Sequence, residues 1–341
     1  MKIAIHHRQG SFSDCWIDYC KQENINYKIV NCFDNNIIKQ VKDCDALLWH
    51  YHHSHFKDTL IAKQILFALE HAGIKVFPDF KTGWHFDDKV AQKYLLEAIE
   101  APLVPSYVFY EKEKALDWIK KTDFPKVWKL KGGAGAENVQ LIHSKKTAAR
   151  LTYKAFGKGF SQFNRWGYIK ERYRKYKKGN IALKQFLKST ARLIIPRELA
   201  KMAGREKGYI YFQEFIPNND FDIRLVIINN RVFGCKRIVR KNDFRASGSG
   251  VINFNKEEID IRCVKKVFEI NEKLQTQSLT FDFIFDKENT PLIVEISYGF
   301  TAEPYQNCPG YWDKDINWHK GKFNPLEWMV EEIISKFALK S

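Results

Sequence analysis

The stretch LTFDFIFDKENTPLIVEIS, from Leu279 to Ser297, holds two apolar runs separated by a polar turn. Leu279–Phe285 and Pro291–Ser297 each read as a β-strand rich in Phe, Ile and Val, with Asp286-Lys287-Glu288-Asn289-Thr290 between them. Each run carries one acid where an apolar residue would be expected. Phe281, Phe283 and Phe285 share one face by the two-residue period of a strand, which leaves Asp282 on the other. Glu295 and Ser297 share a face of the second run, and a hairpin closing around Asp286–Pro291 sets Asp282 opposite Glu295. Two carboxylates side by side on a half-buried sheet repel each other and are costly to desolvate. A hard cation between them resolves the conflict, with positions left for phosphate oxygens, the usual Mg²⁺ arrangement. A pair of acids on a solvated sheet face is the alternative.

Composition frames what surrounds this hairpin. At 341 residues the chain is long for one core and suggests two or three domains. Hydrophobic residues make up 45% of it and aromatic residues 15%, enough for substantial cores. No apolar run approaches the roughly 20 residues that span a bilayer, and MKIAIHHRQG lacks the apolar segment of a signal peptide. The seven cysteines form no CxxC pair, which reads as reduced thiols in a cytoplasmic protein. A net charge of +16 asks for an acidic partner.

The first eighty or so residues alternate strands (Lys2–Ile5, Tyr27–Val30, Ala46–Trp49, Lys75–Phe77) with helices (Ser13–Gln22, Asn36–Lys42, Thr59–His71). That alternation predicts a parallel α/β sheet. Histidines follow its strands: His6 and His7 after the first, then His50, His52, His53 and His55 after the third. The carboxyl ends of such strands are where open sheets bind ligands, so this rim is a candidate substrate contact, with His6, His7, His50 and His52 foremost. Zinc and a plain solvated loop are the alternatives, and no Cys or carboxylate joins the histidines at ligand spacing.

Asp88-Lys89 opens a helix expected over Val90–Glu100. Pro125–Lys131 reads as a basic strand running straight into Gly132-Gly133-Ala134-Gly135. Backbone N–H groups of such a turn can close on phosphate oxygens, with a strand lysine reaching the same charges. Neither GxxxxGK[ST] nor a GxGxxG opening a βαβ unit is present, and a glycine-rich hairpin turn would look similar.

Residues 157–208 differ in composition from their surroundings: 15 Lys and Arg against three acids supply +12 of the net +16. Aromatics are interleaved, and a basic amphipathic helix is expected from about Ile181 to Met202, broken at Pro196. This insertion suits an anionic membrane surface or an anionic glycan, or else packs as a solvated face. No DNA or RNA module appears in it, which weighs against nucleic acid. Beyond it come a strand over Tyr209–Phe215, a second from Asp220 to Val226, an Asn229-Asn230 turn and a third strand over Val232–Val239. The flexible basic loop Arg240–Gly250 and a helix over Lys256–Lys273 lead back to the carboxylate hairpin.

The ordered set Asp88-Lys89, strand lysine with glycine loop, QEFI (213–216), DIRLV (222–226), NDFRASGSG (242–250) and the paired Phe-Asp and Val-Glu-Ile-Ser strands resembles the ATP-grasp superfamily. The nearest flavour is the RimK-like carboxylate–amine ligases, over about residues 78–300. The resemblance implies an ATP-grasp fold of α/β and α+β class, an N-terminal parallel α/β domain plus two α+β lobes clasping ATP. The corresponding domains are 1–80, then 81–212 carrying the insertion 157–208, then 213–341. By the same resemblance Lys89 and Lys129 match lysines on ATP phosphates, and Gly132, Gly133 and Gly135 match the mobile loop over them. Gln213, Glu214, Phe215 and Ile216 match the adenine-lining segment, and Asp222 matches a ribose-binding acid. Arg224 and Arg245 match catalytic basic positions near an acyl phosphate, with Lys236 and Arg237 as helpers toward substrate. Asp282, Glu295 and Ser297 match metal ligands, Ser297 standing where the family usually has Asn.

The implied activity is an ATP- and Mg²⁺-dependent ligation of a carboxylate and an amine, for which no side-chain nucleophile is required. No Ser-His-Asp or Cys-His arrangement competes with it. The tail from Tyr298 onward departs from the short loop of RimK relatives and is aromatic, a composition that suits sugar faces. With the basic insertion it suggests a sugar acid or glycan substrate in bacterial surface-polysaccharide synthesis, with Tyr298 in contact and the enzyme docked at the inner membrane. A peptide ligase and a non-catalytic nucleotide-binding regulator are the other readings.

Overall fold

The structure is a computed structural model that describes residues 1–132, 138–161, 204–239, 244–246 and 251–338, together with 169, 172–173, 176–177 and 182–190. Its chain divides into two compact units. The first comprises Met1–Phe86, Tyr94–Leu103 and Ile216–Ser341, and the second Asp87–Lys93 and Val104–Phe215.

In the first unit, β1 (Lys2–His6), β2 (Asn26–Val30), β3 (Ala46–Leu48) and β4 (Lys75–Phe77) form the expected parallel sheet in the order β2-β1-β3-β4. Helices α1 (Phe12–Gln22), α2 (Ile37–Gln40) and α3 (Phe56–His71) make the crossovers. Ser11 caps α1, its hydroxyl accepting from the Ser13 amide, and Gly73 ends the α3 crossover at φ +91°, which a β-carbon would disfavour. A short helix α4 (Phe80–Gly83) follows β4. Next, α5 (Lys89–Ala98) is capped by Asp88, whose Oδ1 accepts from the amides of Val90 (3.1 Å) and Ala91 (3.0 Å).

The second unit carries an antiparallel sheet of β5 (Ser106–Phe109), β6 (Lys126–Lys129), β7 (Val139–Ile142) and β10 (Ile210–Glu214), ordered β5-β10-β6-β7. A two-stranded pair, β8 (Phe160–Ser161) with β9 (Arg205–Glu206), lies within the insertion 157–208, near its two ends. Helices α6 (Lys112–Lys121) and α7 (Lys145–Phe156) cover one sheet face, burying Ile119, Trp128, Ile142, Ala148 and Phe212 in one core. Of the helix expected over 181–202, α8 (Leu183–Thr190) is seen, and the remainder lies outside the described residues.

The largest sheet is antiparallel and belongs to the first unit. It consists of β11 (Phe221–Ile228), β12 (Arg231–Ile238), β13 (Ile252–Asn253), β14 (Ser278–Phe285), β15 (Pro291–Ser297), β16 (Gly310–Trp312) and β17 (Trp318–Lys320). Its order is β15-β14-β11-β12-β16-β17, with β13 paired to β12. Asn229 and Asn230, both at positive φ, make the tight β11–β12 turn. The helix expected over Lys256–Lys273 is instead a 3-10 turn (Lys256–Glu258) and then α9 (Ile261–Leu274), because Asp260 accepts from the Arg262 amide and starts a new helix. A last helix, α10 (Pro325–Ala338), closes the chain.

Both faces of this sheet are covered. Ile223, Leu225, Phe281 and Phe283 pack against Val264, Val267 and Ile270 of α9 on one side. Val226, Ile228 and Phe233 on the other side join the core of the parallel sheet, with Ile3, Ile5, Leu47, Trp49, Phe77 and Met329. Each fully buried large apolar side chain contributes about 1.5–3 kcal/mol relative to exposure. The N-terminal sheet and the C-terminal lobe therefore share one core and form one unit, and the chain passes from the second unit back to the first at Phe215/Ile216, near the 212/213 boundary that the resemblance implies.

Candidate functional site

Period-2 alternation along β11 sets Asp222, Arg224, Val226 and Ile228 on a single sheet face. Its apolar half is buried in the core shared with the parallel sheet, and its charged half continues beyond that core. In the neighbouring strands the register sets Arg237 opposite Asp222, Asp282 opposite Arg224, and Glu295 opposite Asp282. The last pairing depends on a β-bulge. Phe283 pairs with Ile293 while Asp282 pairs with Glu295, leaving Val294 as the extra residue. Without it the register fixed by Phe285 opposite Pro291 would bring Val294, not Glu295, to Asp282.

Four charged groups on this face form one lattice. Arg224 is bidentate on Asp282, Nε to Oδ1 at 2.6 Å and Nη2 to Oδ2 at 2.6 Å. Arg237 is bidentate on Asp222 at 2.6 and 2.5 Å, and its Nη2 also lies 3.0 Å from Asp282 Oδ2. Burial pushes the Asp282 carboxyl up, but Arg224 and then Arg237 outweigh it and hold it well below the usual carboxylate range. For Asp222, burial pushes the carboxyl up and Arg237 opposes. The expected ribose role of Asp222 therefore competes with a buried ion pair, a partner that sequence reading missed. Ser297 donates its hydroxyl to the Gly299 carbonyl at 2.9 Å, which leaves its oxygen lone pairs for a ligand.

Asp282, Glu295 and Ser297 are hard oxygen donors on one face of adjacent strands, and guanidinium groups already stand as cations against Asp282. The set fits Mg²⁺ completed by water and phosphate oxygens rather than an all-protein cage. Among the described residues no cluster of three or more His, Cys, Asp and Glu side chains is arranged to hold a metal.

The second unit has its own polar sheet face. Lys129, Gln213 and Ser106 lie together on it, with Lys129 Nζ donating to Gln213 Oε1 at 2.6 Å and Gln213 Nε2 to Ser106 Oγ at 3.1 Å. Lys129, Lys89 and Gln213 are all buried. Glu214 projects to the opposite face by alternation, where Lys126 Nζ meets its Oε2 at 2.8 Å. Phe215 ends this unit and Ile216 begins the other, so the QEFI segment spans the division. The Lys89 amide donates to the Lys131 carbonyl at 2.9 Å, which ties the start of α5 to the segment just after β6. At Gly132 a β-carbon would lie 3.3 Å from Asp87 Oδ2, so the Asp87 side chain would have to give by a few tenths of an ångström. Gly133 and Gly135 lie outside the described residues.

Several expected substrate contacts sit elsewhere. Lys236 projects to the sheet face opposite Arg237, where it pairs with Glu258 at 2.6 Å and caps the Phe221 ring. Tyr298 is fully buried and donates its hydroxyl to the Tyr51 carbonyl, and Phe300, Tyr305 and Trp312 are buried with it. The aromatic tail is thus core rather than a sugar platform. Arg245 is partly buried, with its guanidinium 5.7 Å from the Phe244 ring.

The histidine rim is where the sequence put it, at the carboxyl ends of β1 and β3, yet most of it is structural. His6 Nδ1 accepts from the Cys32 amide at 3.0 Å, and His7 meets Asp14 at 2.8 Å on the surface. His50 is buried, stacked on Phe12 at 3.6 Å, and accepts from the Phe12 amide through Nδ1 at 3.3 Å. Arg8, missed in the sequence, donates to Asp58 Oδ2 (2.6 Å) and the His50 carbonyl (2.9 Å). Burial, reinforced by His52 and Arg8, lowers the His50 imidazole well below its ordinary range, and His52 is lowered by burial to about 3. These rings are neutral at pH 7, so they offer hydrogen bonds and not positive charge to an anionic substrate.

The fold is the ATP-grasp fold. No protein-family profile matches the chain, and no curated protein matches it significantly. Solved structures do. One is a RimK-domain ATP-grasp protein from Sphaerobacter thermophilus, at TM-score 0.56 and 13% identity, covering 98% of this chain and 100% of that one. D-alanine–D-alanine ligase from Bacillus anthracis, complexed with ATP, aligns at 0.57 and 11% identity over 100% of this chain and 99% of that one. The biotin carboxylase domain of Hydrogenobacter thermophilus 2-oxoglutarate carboxylase, bound to MgADP, ADP and bicarbonate, aligns at 0.57 and 12% identity over 98% and 69%.

Proposed function

We propose that this protein is an ATP- and Mg²⁺-dependent carboxylate–amine ligase that forms an amide through an acyl phosphate. The observation that carries the reading is the Asp282–Glu295 pair, brought opposite each other by a bulge on the same sheet face as Arg224 and Arg237. The fold supports it, since similar structures hold ATP or MgADP.

In this reading a substrate carboxylate oxygen attacks the γ-phosphorus of ATP, the bond to the β-phosphate oxygen breaks, and ADP leaves. An amine then attacks the acyl carbon, phosphate departs with its bonding electrons, and the nitrogen loses a proton to give the amide. Asp282 and Glu295 would hold Mg²⁺, which would supply charge neutralisation at the phosphates. Lys89 and Lys129 bind phosphate oxygens, Gln213 through Ile216 line the base, and Arg224 and Arg245 offset charge on the transferring group.

A sugar acid or glycan in surface-polysaccharide synthesis is the substrate class we favour, resting on the +12 carried by residues 157–208. The buried aromatic tail no longer supports it. No helix among the described residues is long and apolar enough to cross a membrane, so docking at an anionic surface would fall to the basic segment.

Phosphate release from Mg·ATP, measured against uronic acids, nucleotide-linked uronates and amino acids, tests the activity. Stimulation by one acid-plus-amine pair, abolished in Glu295→Gln, is the expected result. Tight nucleotide binding with no stimulation by any pair, polymeric acceptors included, would refute the ligase in favour of a nucleotide-binding regulator.

A further inference from the structure

We propose that Arg224 is an internal counter-cation that blocks metal binding at Asp282 until a polyphosphate takes it over, so that divalent metal and nucleotide bind only together. The inference rests on the ligase reading but concerns the order in which its site is filled.

Both oxygens of Asp282 are engaged, Oδ1 by Arg224 and Oδ2 by Arg224 and Arg237. Arg224 and Arg237 balance Asp222 and Asp282, so these four groups together carry no net charge. A divalent ion reaching Asp282 must push a guanidinium off it. That would place two like charges together on a largely desolvated face unless another anion receives the displaced arginine. A phosphate matches the guanidinium fork as well as a carboxylate does.

The two arginines are not equivalent. The Arg237 side chain is 8% exposed and doubly bonded to Asp222, whereas that of Arg224 is 27% exposed. Arg224 is therefore the group that exchanges, and Arg237 is a positioning residue that keeps Asp282 oriented throughout. Asp222 acts through Arg237.

Mn²⁺ binding followed by electron paramagnetic resonance tests this, using the full chain with and without the non-hydrolysable analogue AMP-PNP. In the wild-type protein the analogue should raise Mn²⁺ affinity by a hundredfold or more, and Mn²⁺ should raise analogue affinity by the same factor. In Arg224→Gln, Mn²⁺ alone should bind about tenfold tighter than in the wild type, and the mutual enhancement should shrink accordingly. Circular dichroism and thermal melting establish that the variant is folded, and Arg224→Lys, which keeps the charge, should retain weak Mn²⁺ binding without nucleotide. Unchanged or weaker Mn²⁺ affinity in Arg224→Gln, with metal-dependent analogue binding intact, overturns the exchange while leaving the ligase reading standing. Absence of analogue binding to the wild-type protein at any Mn²⁺ concentration overturns both.

Discussion

Acid should loosen the first unit through His50, by an amount the structure allows to be worked out. His50 is 8% exposed, stacked on Phe12, and faces His52, His53, His55 and Arg8, with Asp58 held by Arg8 and by the His52 amide. Burial, with the positive neighbours reinforcing it, keeps the folded-state value far below the ordinary 6.5. An unfolded chain takes up the proton as pH falls through 6.5, while the folded chain does not, so stability declines on acidification and is retained above that value. Between pH 7 and pH 5 a single imidazole that stays neutral when folded contributes a loss of about 2 kcal/mol. His52 adds to this, less in proportion to its greater exposure to solvent. Urea unfolding of wild-type protein and His50→Gln at both pH values isolates the effect, because titrations common to the two proteins cancel in the double difference. Gln can still accept from the Phe12 amide. With a slope of about 1–3 kcal/mol per molar urea, the wild-type midpoint should fall by roughly 1 M more than that of the variant. Equal falls would show that His50 is protonated in the folded protein and would refute the argument from burial.

Other outcomes follow from particular contacts. Lys236→Met should leave AMP-PNP affinity within about twofold by calorimetry, since Lys236 meets Glu258 on the face opposite the carboxylates. Tyr298→Phe should lower the urea unfolding free energy by about 1–3 kcal/mol, because the buried Tyr51 carbonyl loses its donor, and should leave substrate KM unchanged. Gly234→Ala should destabilise by about 1–3 kcal/mol or fail to fold in expression trials, because its β-carbon would stand 2.2 Å from the Arg224 carbonyl oxygen. Lys129→Met should raise the KM for ATP at least tenfold in the phosphate-release assay, and it removes the hydrogen bond to Gln213.

Much of this was legible in order of residues alone. Short apolar runs alternating with helical stretches placed the strands of the parallel sheet to within a residue at each end, since a strand buried on both faces reads as a continuous apolar run. The ordered motifs marked the ATP-grasp fold, and period-2 placement put Asp282 on the face away from Phe281 and Phe283. What a linear reading lacks is register and neighbours. Asp282 meets Glu295 through a bulge at Val294, announced in the sequence only by Ile293 and Ile296 breaking alternation. The lattice joining Asp222, Arg224, Arg237 and Asp282 needs three strands side by side, and its members lie up to 60 positions apart. Burial is also a tertiary property: identical aromatic residues after Ser297 would suit a sugar face or a core, and only the packed chain put Tyr298 against Tyr51. Histidines near a strand end look cationic in sequence and are neutral here, because desolvation is set by what packs over them. Chemistry-bearing residue types and their order belong to the sequence, whereas charge state, partner and accessibility belong to the fold, since each depends on distances between residues remote along the chain.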